Sequence, residues 1–332
     1  MIRGKVRGEQ ALPWGIILEI SKRIFHIVVN PAGASGKARR IWEKLEPVFA
    51  ESGQDYQVHF SAMEKGIGEI CHELEQEGPD TIIVVVGGDG TVNEAINGLE
   101  HPESVLFGHI PAGSGNDLLR DMGLPKDPVQ LAARILEGQV RRTCDIGELI
   151  YKDTGESRRF AVSCGIGFDA GICELAGRSA KKNLLNRLGL GKLIYLSAAF
   201  QVIRSQNCGT ADIVLDDGNV KREVHYDRLL LLACMNHQFE GGGFNFTPDA
   251  SADDGILNVC TADPLSNKAF YRILPMVMLG RHYHSRYVHE LRGSSMEIRM
   301  SEPMWVHTDG EVERRADHLE IHVLEEQLRF LE

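Results

Sequence analysis

The chain has 332 residues, 43% of them hydrophobic and 25% charged, which suits a folded protein of two domains and excludes a disordered or fibrous one. A formal net charge of −11 argues against general nucleic-acid binding. No uninterrupted apolar run approaches the ~18–20 residues needed to span a bilayer.

The first residues, MIRGKVRGEQALPWGIILEI, start basic and carry a short apolar patch. Glu19 interrupts that patch and a strand-like segment follows at once, so the stretch reads as a frayed leader and not as a signal peptide. Residues 24–29 form a β-branched run that predicts a buried strand, ending in the turn Asn30-Pro31-Ala32-Gly33-Ala34-Ser35-Gly36-Lys37. Ile41, Trp42, Leu45 and Phe49 then recur at helical spacing, with Pro47 expected to kink or shorten that helix. A strand over 56–60 and a helix over 67–77 follow. Thr81 to Val86 is continuously apolar, as a strand covered on both faces of a parallel sheet would be. It runs into Gly87-Gly88-Asp89-Gly90-Thr91 and a helix; a strand over 105–110 runs into Pro111-Ala112-Gly113-Ser114-Gly115-Asn116-Asp117 and a further helix. Strand, glycine loop and helix in repeated order predict a doubly wound α/β nucleotide-binding domain over 22–140.

Beyond about residue 140 the pattern changes to short β segments, at 141–150, 158–166, 210–216, 221–225, 228–236, 255–262, 293–300, 304–308 and 319–324. Helical stretches interrupt them near 170–205 and 266–280. They predict a β-rich sandwich domain over 141–314, with the strands of about 315–332 candidates to return to the first domain. Seven cysteines without a C-x-x-C pair predict buried thiols in a reducing compartment. His237, His282, His284 and His289 match no zinc spacing.

Ligands of open parallel sheets bind beyond the carboxyl ends of the strands. Three glycine loops in that position suit phosphates, because glycine lets backbone N–H groups approach closely and a following helix N-terminus adds positive potential. Thr91, Asn93 and Ser114 offer further donors, and Lys37 a point charge. The Gly33–Lys37 spacing is too short for a Walker A loop, Ala38 stands where Ser or Thr belongs, and no G-x-G-x-x-G follows the first strand.

The ordered set Asn30-Pro31, Gly87-Gly88-Asp89-Gly90-Thr91-Val92-Asn93-Glu94, Pro111 to Asp117, Gly241-Gly242-Gly243, Asp253-Asp254-Gly255 and Asp309-Gly310-Glu311 resembles the diacylglycerol kinase catalytic-domain superfamily, its bacterial lipid kinases above all. NAD kinases and phosphofructokinases carry relatives of the second motif alone. The resemblance implies transfer of the ATP γ-phosphoryl group to a lipid hydroxyl, diacylglycerol first. Phosphatidylglycerol, undecaprenol, a sphingoid base or NAD as acceptor, and a catalytically silent nucleotide-binding regulator, stay as alternatives. It implies an ATP site of Asn30, Ser61, Gly88, Asp89, Gly90, Thr91, Val92, Asn93, Glu94 and Ser114, although the family has Thr where Ser61 stands. Asp89 would organise Mg²⁺ and the phosphates, and Glu311 or Asp89 would take the hydroxyl proton. Ser251, Asp254 and Ile256 would hold a second, structural Mg²⁺. The basic, leucine-rich stretch 178–194 is expected to meet a membrane surface, so the localisation implied is cytoplasmic and membrane-peripheral, with no nucleic-acid partner and a homodimer as a further possibility.

Overall fold

The computed structural model describes residues 23–113, 115–178, 192–205, 208–218 and 220–332. In the N-terminal half, β1 (Phe25–Val29), β3 (Ile82–Gly87) and β4 (Leu106–Pro111) are apolar and buried nearly throughout. β2 (Tyr56–Phe60) is a half-exposed edge, so its side chains alternate less strictly. All four pair in parallel, in the order β4-β3-β1-β2. Two helix layers explain the two buried faces: α1 (Gly33–Glu51) packs beside α4 (Pro128–Leu136), and α2 (Ile67–Glu75) beside α3 (Asp89–Gly98).

Two expectations fail here. α1 is not shortened at Pro47 but continues to Glu51, with that ring on the exposed side while Trp42, Leu45 and Phe49 pack inward. The loop after β4 does not feed a helix; α4 begins only at Pro128, so the third loop has no helix N-terminus behind it.

The C-terminal half adds strands β5 (Val140–Tyr151), β6 (Ser157–Phe160), β7 (Ser163–Gly167), β8 (Gly209–Asp216), β9 (Lys221–Leu229) and β10 (Leu231–Met235). They are followed by β11 (Phe239–Glu240), β12 (Phe244–Asn245), β13 (Leu257–Ala262), β14 (Val288–Gly293), β15 (Ser295–Thr308) and β16 (Glu311–Leu331). Helices α5 (Phe168–Gly177), α6 (Lys192–Ser205) and α7 (Asn267–Met278) interrupt them. The expected strands at 293–300 and 304–308 are one bulged strand, β15, and the expected strand at 158–166 is two, split at Ala161 and Val162. Pairing in this half is antiparallel, and Phe160, Ile166, Ile213, Val259, Ile298 and Leu319 are among the residues of its own buried core. β16 joins the halves: it pairs with β15 and β5 along its length, and Arg329 and Phe330 then pair in parallel with Leu106 and Phe107 of β4. That join places the β15–β16 turn opposite the start of α3. No described helix is long and apolar enough to cross a membrane.

Candidate active site

β1, β3 and β4 are in register, so the turns after them form one rim. Asn30 follows β1, and its Nδ2 donates to Thr91 Oγ1 over 3.4 Å, tying the first turn to the second. A Cβ on Gly113, after β4, would lie 2.7 Å from Gly88 Cα, so the second and third turns touch backbone to backbone. Lys37 Nζ donates to the Gly113 carbonyl over 3.4 Å.

Asp89 opens α3, where a carboxylate meets the positive end of the helix. Its Oδ1 accepts one long bond, 3.4 Å, from the Leu118 N–H. Its Oδ2 lies 2.9 Å from the position of a Cβ on Gly115. Burial, and then the carboxylates of Asp117 and Asp309, push Asp89 up to about 7. Asp117 is itself held by Arg120 Nε at 2.8 Å and by the Gly242 N–H at 2.6 Å. Gly241, Gly242 and Gly243 have φ of +62°, +80° and +121°, a run that side-chain-bearing residues do not follow, and this is how that amide reaches Asp117.

Opposite stands the turn from β15 to β16. Asp309, at φ +50°, accepts the N–H groups of Ala161, Val162 and Ser163 at 2.9, 2.8 and 3.0 Å. Asn93 Nδ2 adds a fourth bond at 2.9 Å. Such a carboxylate is an anchor for the turn and has little left to offer a substrate. Asp309→Ala would orphan the three amides and is expected to cost about 3–5 kcal/mol in urea unfolding; a loss below about 1 kcal/mol would show that water replaces the carboxylate freely.

The anchor delivers Glu311. Its Oε1 lies 2.6 Å from where a Cβ on Gly90 would be, directly over the residue after Asp89. Burial and the neighbouring Glu311 raise Glu94, with Arg158 opposing them. The structure therefore brings Asp89, Glu94 and Glu311 to one mouth.

One member of this site was not among the residues expected from the sequence. His307, buried in β15, has Nε2 2.8 Å from Asp169 Oδ2 and 3.3 Å from Glu240 Oε1, while the Gly310 N–H points at its Nδ1 over 3.0 Å. Burial opposes a charge on the ring, but Asp169 and Glu240 outweigh it and hold His307 up to about 9. Burial in turn pushes Glu240 up to about 8. Held from behind by Asp169 and Glu240, and meeting the Gly310 N–H at Nδ1, His307 grips the turn that presents Glu311.

The rim opens into a cavity of about 1090 Å³. Asn30, Gly88, Asp89, Gly90, Thr91 and Glu94 line one end together with Glu311. The cavity continues past Asp169 and Glu240 into an apolar arm walled by Phe168, Ile172, Phe246, Phe270, Ile273 and Val277. Three expected residues of the ATP site do not line it. Val92 and Asn93 lie on the buried face of α3, Asn93 with its amide committed to Asp309 and to the Arg159 carbonyl and its oxygen to Arg158. Ser61 sits at the end of β2, its N–H on the Val29 carbonyl, and does not line the cavity. Ser114 lies outside the described residues, as do 179–191 of the basic 178–194 stretch. Ser251, Asp254 and Ile256 form a turn elsewhere, the Ile256 N–H donating to Asp254 Oδ1 at 3.1 Å, and the Gly255 N–H ties it to Asp145 at 2.8 Å.

A glycine rim, crowded carboxylates and an apolar arm thus share one cavity. Residues 25–149 match the family profile described as diacylglycerol kinase catalytic domain, and residues 163–331 the one described as YegS C-terminal NAD kinase beta sandwich-like domain. The chain belongs to the diacylglycerol kinase-like lipid kinase family, and that membership implies the use of ATP. It is 24% identical over 288 residues to diacylglycerol kinase of Bacillus subtilis (strain 168), covering 86% of this chain and 88% of that one. It is 29% identical over 220 residues to diacylglycerol kinase of Mycobacterium tuberculosis (strain ATCC 25618 / H37Rv), covering 65% and 66%. A crystal structure from Bacillus anthracis str. Sterne, provisionally described as a diacylglycerol kinase, shares the fold with a TM-score of 0.69 at 22% identity, over 93% of this chain and 97% of that one.

Proposed function

We propose that this chain transfers the γ-phosphoryl group of ATP to the hydroxyl of a lipid, diacylglycerol being the first acceptor to test. The observation that supports this reading is the continuity of one cavity, from the glycine rim beside Asp89 and Glu311 to the apolar arm. The rim suits the triphosphate, and the arm suits acyl chains that leave their hydroxyl at the mouth.

The residues present fit a divalent cation. Asp89 has no lysine or arginine paired with it among the described residues, lies beside Asp117 and Asp309, and is raised to about 7. Buried acidic groups so crowded gain from an oxygen-binding cation. Asp89 and Asp117 would hold Mg²⁺, whose contribution when bound is to neutralise charge on the phosphates. Glu311 takes the proton: as the lipid oxygen bonds to the γ-phosphorus, its O–H proton passes to the Glu311 carboxylate and the bond to ADP breaks, its electron pair leaving with ADP. The turn of Ser251, Asp254 and Ile256 would offer a second cation one carboxylate and two backbone carbonyls, for structure only.

Incubation with γ-labelled ATP and a panel of diacylglycerol, phosphatidylglycerol, undecaprenol, a sphingoid base and NAD, followed by organic extraction, tests the reading. Label in phosphatidic acid is expected. Label confined to a water-soluble acceptor, or to none, would overturn it. Within the same site, Gly113→Ala pushes a methyl against Gly88 and should raise the KM for ATP at least about tenfold; an unchanged KM would mean that the two turns do not meet across the nucleotide.

A further inference from the structure

α7 has two faces. Phe270, Ile273 and Val277 point inward, are buried, and form a wall of the apolar arm. The opposite face carries Lys268, Tyr271, Arg272, Pro275, Met278 and the adjoining Leu279, recurring at helical spacing and all exposed. Tyr271 rests against Phe200 of α6 yet stays 57% exposed, with Met278 at 57% and Leu279 at 69%. These are three of the few large apolar side chains that the described surface exposes so fully. Grouped on one helix, they are the kind of patch that marks an interaction site.

The charge around them is equally one-sided. The chain has 47 acidic residues, yet none falls between Pro264 and His289, a span that holds Lys268, Arg272, Arg281 and Arg286. Lys268, Arg272 and Arg281 have no carboxylate partner among the described residues. An acidic protein that keeps the whole span from Pro264 to His289 free of acid, and sets cations without carboxylate partners around exposed Tyr, Met and Leu, presents a surface complementary to anionic headgroups with apolar carbon beneath.

We propose that the outer face of α7, with Leu279 and Arg281, docks on an anionic bilayer surface, beside the arm that takes the lipid. The inference rests on the lipid-kinase reading and deepens it: the helix that walls the arm is the helix that meets the membrane. A substrate lipid then has to move only past α7 to exchange bilayer for cavity.

The test uses the full chain, with vesicles of phosphatidylcholine containing roughly one-third phosphatidylglycerol. Wild type should co-sediment with these and much less with phosphatidylcholine alone. The triple variant K268E/R272E/R281E, and separately Y271S/M278S/L279S, should each lose about tenfold or more in partitioning. Both should phosphorylate monomeric dihexanoylglycerol at the wild-type rate, since none of the six residues lines the cavity. Wild-type vesicle binding by either variant, or no preference of wild type for anionic vesicles, would overturn the docking. If wild type bound vesicles as described but phosphorylated neither dihexanoylglycerol nor vesicle diacylglycerol, the lipid-kinase reading would fall and the docking face would stand.

Discussion

Replacing Glu311 by Gln is expected to lower kcat by about 10²–10⁴-fold, with the KM for ATP and the thermal midpoint nearly unchanged. The amide keeps the shape of the carboxylate over Gly90 but cannot take a proton. Glu311 is exposed and belongs to no core, so the fold has no stake in its charge. The turn that presents it is held by Asp309 and by His307, and neither contact uses the Glu311 side chain. Steady-state kinetics beside a melting curve separate the outcomes. A variant that kept more than about half of the wild-type kcat would remove Glu311 as the base and leave Asp89 in that role.

Asp89→Asn should lose activity by about 10³-fold and gain stability, and the gain should depend on pH in a definite direction. In the folded chain the group is raised to about 7; unfolded it titrates near 3.9. The folded state therefore holds this proton more tightly than the unfolded one. The cost of the charge is absent below about pH 4, grows from there, and is complete above about pH 7. Without added cation, Asn should be more stable than Asp by about 1–3 kcal/mol at pH 8 and equal to it near pH 4. Denaturant melts at the two pH values check this. A variant less stable than wild type at pH 8 would mean that the Asp89 anion is well satisfied in the fold and not in want of a cation.

The parallel half was legible because its signals are local. Ile82 to Val86 is continuously apolar because both faces of β3 are covered, and Gly88 and Gly113, after β3 and β4, sit where backbones nearly touch. Val92 and Asn93 belong to the contiguous motif but do not line the cavity. A helix turns about 100° per residue, so a run of eight residues cannot all face one crevice. Asp89, Gly90 and Glu94 meet the cavity, while Asn93 supports the 309–311 turn from behind. The antiparallel half was less legible, since strand order there depends on contacts between distant segments. The bulge in β15 split one strand into two apparent ones. His307, Asp169 and Glu240 lie on three elements far apart in sequence, and no periodicity joins them. The only local hint was a histidine two residues ahead of Asp309-Gly310, in a strand otherwise apolar at Met304 and Val306.

In the proposed reaction one cavity serves nucleotide and lipid together. Ile273→Trp enlarges a buried side chain of the apolar arm, on the far side from Asp89, and tests that continuity most directly. Calorimetric titration should find ATP binding unchanged, while the KM for a long-chain diacylglycerol in mixed micelles rises at least about tenfold. An unaltered lipid KM in a folded variant would place the acyl chains elsewhere and contradict the account.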